Sequence, residues 1–349
     1  MQKISSVISR KISNANAIGA LMVVAIHVAG RGYEVKSPMW WWESLTHYGL
    51  FQIAVPMFFY CSGYLLAGRV AERNWYRCVC LKRFRSLLVP YVIWAAICAG
   101  IPAIGWLIVD LWRGEAVHCS QYSLSLTSVF GLSFREPPHT VSLWFLRCLM
   151  LFVVLSPIWV ALIFHFKRVA VLLLYGMSLI VGVMALTRDY SIVATQALGF
   201  FFSIFGLFWF CAGMFMRIEN LDLAVGRLGG YLSLFMGCAV IVASALIEAK
   251  SGVSVVALAR VVYVPLIFVP MWKYLHLIQI PRWLCDSSFP VYLMHGLVLQ
   301  FFRPVILMIC SPFVGWVLLF CIGVVVPAVL SEISKKYCKS VASLLFGGR

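Results

Sequence analysis

Charged residues are scarce in this sequence. Only 11% of its 349 residues are Asp, Glu, Lys or Arg, against about a quarter in a soluble domain. The shortage is sharpest for acids: 12 Asp and Glu stand against 28 Lys and Arg, a formal net charge of +16. Nucleic acid is a poor explanation of that excess, because the basic residues sit in short clusters between apolar runs. Cysteine is not rare, at 12 residues, but no C-x-x-C pair occurs. Cys61, Cys98, Cys148, Cys211, Cys238, Cys310 and Cys321 fall inside apolar runs, and Cys78 and Cys80 in a basic segment. The pattern is neither a disulfide framework nor a metal motif. There is no low-complexity tail, obvious repeat or soluble domain. The first apolar run lacks a clean small-x-small cleavage site and ends in HVAGRGY, so it reads as a span and not a cleaved signal.

Apolar residues are abundant. They make up 63% of the chain, and the mean hydropathy is +0.96. Runs of about 18 or more recur along the whole length, the mark of a helical membrane protein. The expected fold is an all-α polytopic bundle of about ten spans in one integral-membrane domain, residues 1–349. The spans fall near 12–30, 49–68, 87–111, 143–165, 169–187, 192–216, 228–247, 254–272, 287–302 and 313–334. With the N-terminus inside, 19 of the 28 Lys and Arg residues lie in cytosolic segments, as the positive-inside rule requires. Both termini are then cytosolic. Topology and anionic headgroups suffice to explain the +16.

Several side chains do not suit a mere anchor. His27 stands near the end of the first run, and an ionisable group within a span is a functional candidate by default. Imidazole suits proton transfer near neutral pH; the plain alternative is a buried structural hydrogen bond. Ser62, Gly63 and Tyr64 lie late in the second run. Gly63 reads as a close helix contact, and no G-x-S-x-G elbow makes Ser62 a nucleophile. Lys82, Arg83 and Arg85 follow, suited to headgroups or to a phosphate clamp. Trp144 opens the fourth run as an interfacial anchor. Arg147, one turn further in, must pair or snorkel. Tyr292 and His295 share one face of the ninth run. Glu43, His47, His118, Glu136 and His139 lie in outer loops, where Glu43 or Glu136 could orient His27 or meet sugar hydroxyls. "MWWWE" at 39–43 reads as an aromatic belt.

Five stretches carry a resemblance: "LMVVAIH" ending at His27, "VPMFFYCSGYLLAGR" at 55–69, "LKRFRSLLVPY" at 81–91, "SLWFLRCLMLFVVLSPI" at 142–158 and "SSFPVYLMHGLV" at 287–298. In order and spacing they resemble the membrane-bound acyltransferase-3 family, nearest the branch that acetylates enterobacterial common antigen or O-antigen sugars. The resemblance implies a multi-pass inner-membrane enzyme. It implies acyl transfer, acetyl from acetyl-CoA, to a hydroxyl of a lipid-linked or surface polysaccharide, with no bound cofactor or metal. His27 would be the base. Lys82, Arg83, Arg85 and Asn16 would meet the donor, and Ser62, Tyr64, Trp144, Arg147, Tyr292, His295 and Glu43 would line the acceptor cavity.

One position departs from that pattern. The family carries Arg or Lys eleven residues before its histidine, where this chain has Asn16. Eleven residues turn a helix ~1100° and rise ~16 Å, so the two positions share a face near opposite membrane surfaces. Arg10, Lys11 or the basic loop could supply the missing charge. A silent family member and a flippase for a lipid-linked glycan are the rival readings, as is the same enzyme with a longer acyl group such as succinyl.

Overall fold

The computed structural model describes residues 5–28, 33–113, 143–186, 192–223 and 225–348, with backbone alone at 99, 102, 103, 105–111, 113 and 192–202. Every regular element among the described residues is helical. The helices are α1 Ser6–Val28, α2 Pro38–Thr46, α3 Ala54–Ala67, α4 Trp75–Arg83, α5 Val89–Arg113, α6 Trp144–Val154, α7 Ser156–Phe166 and α8 Arg168–Met184. They continue as α9 Ile192–Ile218, α10 Arg227–Ser251, α11 Val256–Tyr274, α12 Arg282–Asp286, α13 Ser288–Ile309, α14 Pro312–Tyr337 and α15 Lys339–Phe346.

Among the described residues, six segments are long and apolar enough to cross a membrane: Ser6–Val28, Pro38–Ala67, Arg227–Ser251, Val256–Leu277, Arg282–Ile309 and Pro312–Tyr337. The pair α6 and α7 makes a seventh if it counts as one span bent by 64°. Its break falls at Leu155, before Ser156 and Pro157, where proline cannot donate to the preceding turn. Arg168–Met184 and Ser203–Ile218 are apolar but shorter. The expected span at 87–111 takes helical form as α5. Outward faces are as apolar as a lipid contact requires: Phe235 is 70% exposed and Met308 79%, which water would penalise.

Local chemistry sets the helix ends. "MWWWE", read as a loop, is part of a helix because Ser37 caps it: its hydroxyl accepts from the Trp40 N–H at 3.2 Å, and Pro38 opens the first turn. Gly252, at φ +69°, closes α10 with a left-handed residue.

Packing centres on α3, which runs along α9 and α1. A Cβ on Gly63 would lie 1.9 Å from Phe210 O, and one on Gly213 2.1 Å from Tyr60 O. Only hydrogens fit on both sides of that crossing, which is the close helix contact expected at Gly63. Beside it Tyr60, Trp209, Phe268 and Trp272 meet edge to face, with centroids 4.9–6.5 Å apart. The two ends of the chain share one end of the bundle. There α15 folds back on α5: Trp94 Nε1 donates to Leu345 O at 3.0 Å, and Phe346 stacks on Trp94.

Candidate functional site

The site grows from one stripe of α1. Ser9, Ile12, Asn16, Gly19, Val23 and His27 recur at helical spacing and therefore share a face. The neighbouring polar residues are structural. Lys11 Nζ is 2.6 Å from Asp222 Oδ2 and 5.6 Å from the Trp272 ring centroid. Asn14 Nδ2 donates to Leu275 O and Ile278 O at 2.7 and 2.8 Å. Lys11 is thereby ruled out as the cation standing in for the one missing at Asn16.

Ser9, Ile12 and Asn16 line a cavity of about 980 Å³, at the upper end of small-molecule sites. Arg69, Lys82, Arg83 and Arg217 also line it, and among the described residues none of its lining is Asp or Glu. Its depth is apolar, through Phe58, Phe145, Leu146, Leu149 and Phe289. Gly347 and Gly348 form part of the wall. Gly347, at φ +65°, sits so close to Ser86 that a Cβ would lie 2.5 Å from Ser86 O.

Two of these cations, Arg217 and Arg69, have side-chain partners within the protein. Arg217 Nη1 donates to Tyr64 Oη at 3.5 Å, and its guanidinium lies 5.4 Å from that ring's centroid. Arg69 pairs with Glu72 at 3.5 Å on the exposed side. Burial first, and Arg69 beside it second, pull the Arg83 guanidinium below its ordinary pKa. Cations lining one cavity together, with no carboxylate among its described lining residues, favour an anion there.

Phe58, Phe145 and Tyr292 close the inner end. Their centroids are 5.6, 5.8 and 6.1 Å apart. Phe58 lies over α1 at Gly19, where a Cβ would stand 2.6 Å from Cε1. Beyond this floor is His27, eight residues and ~12 Å further along α1. Its ring faces His295 at 5.0 Å between centroids, and Tyr292 lies 6.2 Å from His295. Two side chains hold the end of α1: Arg303 Nη2 donates to His27 O, and His47 Nδ1 to Ile26 O. Donors at a helix C-terminus satisfy its last carbonyls.

Thus Asn16, Ser62, Lys82, Arg83 and Tyr292 line one cavity, and Tyr64 orients a cation of it. Arg85 stands exposed on the π turn 84–88, outside the cavity lining. The other acceptor candidates are dispersed. Trp144 packs on Phe59 and lines a separate space of about 20 Å³ with Gln52 and Arg260. Arg147 is half-buried beside Cys148 and Tyr91. Glu43 is buried in α2, near Tyr33. His118, Glu136 and His139 lie outside the described residues. Among the described residues no group of three His, Cys, Asp or Glu could hold a metal. Sequence reasoning gave no role to Arg217, Arg303 or the Gly347–Gly348 wall. Each lies far along the chain from its neighbours in the site.

Apolar helices around a cation-lined internal cavity define a multi-pass membrane protein. Residues 12–332 match the family described as "Acyltransferase domain", and the chain belongs to this acyltransferase-3 family. No curated sequence and no solved structure compared with the chain matches it.

Proposed function

We propose that the protein transfers an acyl group, acetyl from acetyl-CoA, to a hydroxyl of a lipid-linked or cell-surface polysaccharide sugar, in the manner of O-antigen and enterobacterial common antigen acetylation. It works in the inner membrane, with its basic end in the cytosol. The observation that carries this reading is the cavity with four cations and no carboxylate among its described lining residues, apolar in its depth and bounded by Phe58, Phe145 and Tyr292 on the side that leads to His27. Such a cavity suits a molecule with phosphates at one end and a thioester at the other. Arg69, Lys82, Arg83 and Arg217 take the phosphates, Asn16 hydrogen-bonds near them, and the pantetheine arm runs inward past Ser62 towards Tyr292.

His27 acts as general base. It takes the proton of the sugar hydroxyl as that oxygen attacks the thioester carbonyl. The new C–O bond forms, the C–S bond breaks, and the proton passes from His27 to the leaving thiolate. The products are an ester and the free thiol of CoA. Asn16 carries no charge, so the donor is held by cations contributed by other elements, Arg217 on α9 foremost.

The test is mass spectrometry of glycan released from cells carrying wild type, His27→Ala or Asn16→Arg at matched membrane levels. Wild type should add the acyl mass and His27→Ala should lose it by about 100-fold or more. Asn16→Arg should lower the KM for the donor. Undiminished acylation by His27→Ala makes His27 structural. No acylation by wild type in several glycan backgrounds favours a flippase or a silent family member.

A further inference from the structure

His295 is fully buried in α13. Its Nδ1 lies 3.1 Å from Val291 O, one turn back. A carbonyl only accepts, so this bond assigns the hydrogen to Nδ1 and leaves Nε2 a bare acceptor. Among the described residues nothing donates to Nε2. A buried acceptor left open is costly, and such a cost points to a role the resting structure does not display. The ring that faces it is His27, at 5.0 Å with planes 36° apart. Two imidazoles joined by one N–H···N bond have centroids roughly 5 Å apart, given a bond of ~2.9 Å.

A neutral histidine base needs one bare nitrogen towards the hydroxyl and an acceptor for the N–H on the other. The titratable and charged groups acting on His27 are His295, His47 and Arg303. Arg303 can only donate. His47 turns Nδ1 to the α1 backbone. Glu43, the carboxylate of α2, acts on Tyr33. His295 Nε2 is an acceptor already built, in a rotamer that the Val291 bond holds.

We propose that His295 is the positioning residue for His27. Its Nε2 accepts the His27 N–H in the reacting complex and fixes the tautomer whose other nitrogen faces the acceptor hydroxyl. This rests on the reading of His27 as base. An imidazole here does the orienting that a carboxylate does in other histidine bases.

The experiment compares His295→Gln, His295→Asn and His295→Leu with wild type and His27→Ala in the full-length protein. Glutamine places an amide oxygen near the Nε2 position. Asparagine reaches only the Nδ1 position, and leucine offers no acceptor. His295→Gln should stay within about tenfold of wild type, while His295→Asn and His295→Leu should lose about 100-fold in kcat with donor KM unchanged. Nitrogen NMR of ¹⁵N-histidine-labelled protein, the His27 signal assigned by its loss in His27→Ala, reads the tautomer without turnover. That signal should shift in His295→Leu and be restored in His295→Gln. Equal losses in all three variants, a change in KM alone, or a His27 signal indifferent to His295 would overturn the proposal. Activity that survives His27→Ala would instead sink the underlying reading of the base. Activity that needs His27 but ignores His295 would sink this inference alone.

Discussion

Arg217 shows how a single side chain acquires its role from its surroundings. It is a cation in the last turn of α9, aimed into the cavity and held by the hydroxyl and ring of Tyr64. Hydrogen bonds to charged groups contribute about 1.5–3 kcal/mol. Arg217→Ala should therefore raise the KM for acyl-CoA by roughly tenfold or more with kcat little changed, as steady-state kinetics would show. Tyr64→Phe should do the same more weakly. Lys11 is the contrasting case. It is buried against Asp222 and Trp272, so Asp222→Asn should lower thermal stability by about 1–3 kcal/mol, read by thermal unfolding in detergent, and leave donor KM alone. The sequence marks His27 as unusual because a charge in an apolar run is conspicuous. It cannot distinguish Lys11 from Arg217, both cations near a run's end. Which one has a carboxylate and which a cavity depends on residues some 200 positions away in the chain.

At the scale of elements, the α3–α9 crossing is the least forgiving contact. Gly63→Ala places a methyl 1.9 Å from a backbone carbonyl that has no rotamer to change. The helices must separate, at a cost of about 1–3 kcal/mol. A fall in melting temperature and in membrane yield should follow, with Gly213→Ala alike. Gly100, with nothing within 4 Å among the described residues, is the control, and Gly100→Ala should be neutral. Hydropathy locates the long helices α1, α10, α11, α13 and α14 well, because length and apolar content alone decide them. It misses α2, whose helix follows from a serine cap and a proline, and the bend between α6 and α7 at Pro157. Those depend on one or two residues in a long window, and averaging erases them.

For the whole molecule, both chain ends lie at the basic end, since Ser9 and Gly348 line the same cavity. On the proposed topology, argued from the charge bias, that end faces the cytosol. Reporters fused at either end should therefore be active only as cytosolic fusions. A periplasmic signal from one end would overturn the topology. The cavity itself is illegible in sequence: its wall draws on α1, α3, α4, α6, α9, α13 and the turn after α15, and no local pattern announces that they meet.

The floor of Phe58, Phe145 and Tyr292 has a consequence for the cell as a whole. A chamber that opens at one surface and runs inward is half of a pore. Among the described residues, the rings of Phe58, Phe145 and Tyr292 stand on the side of it that leads to the histidine pair. An enzyme that passes an acyl group across a bilayer, as proposed for this protein, must still hold back protons and salts. The same rings are then the membrane's insulation, and their loss would discharge the proton gradient of the cell that makes the enzyme.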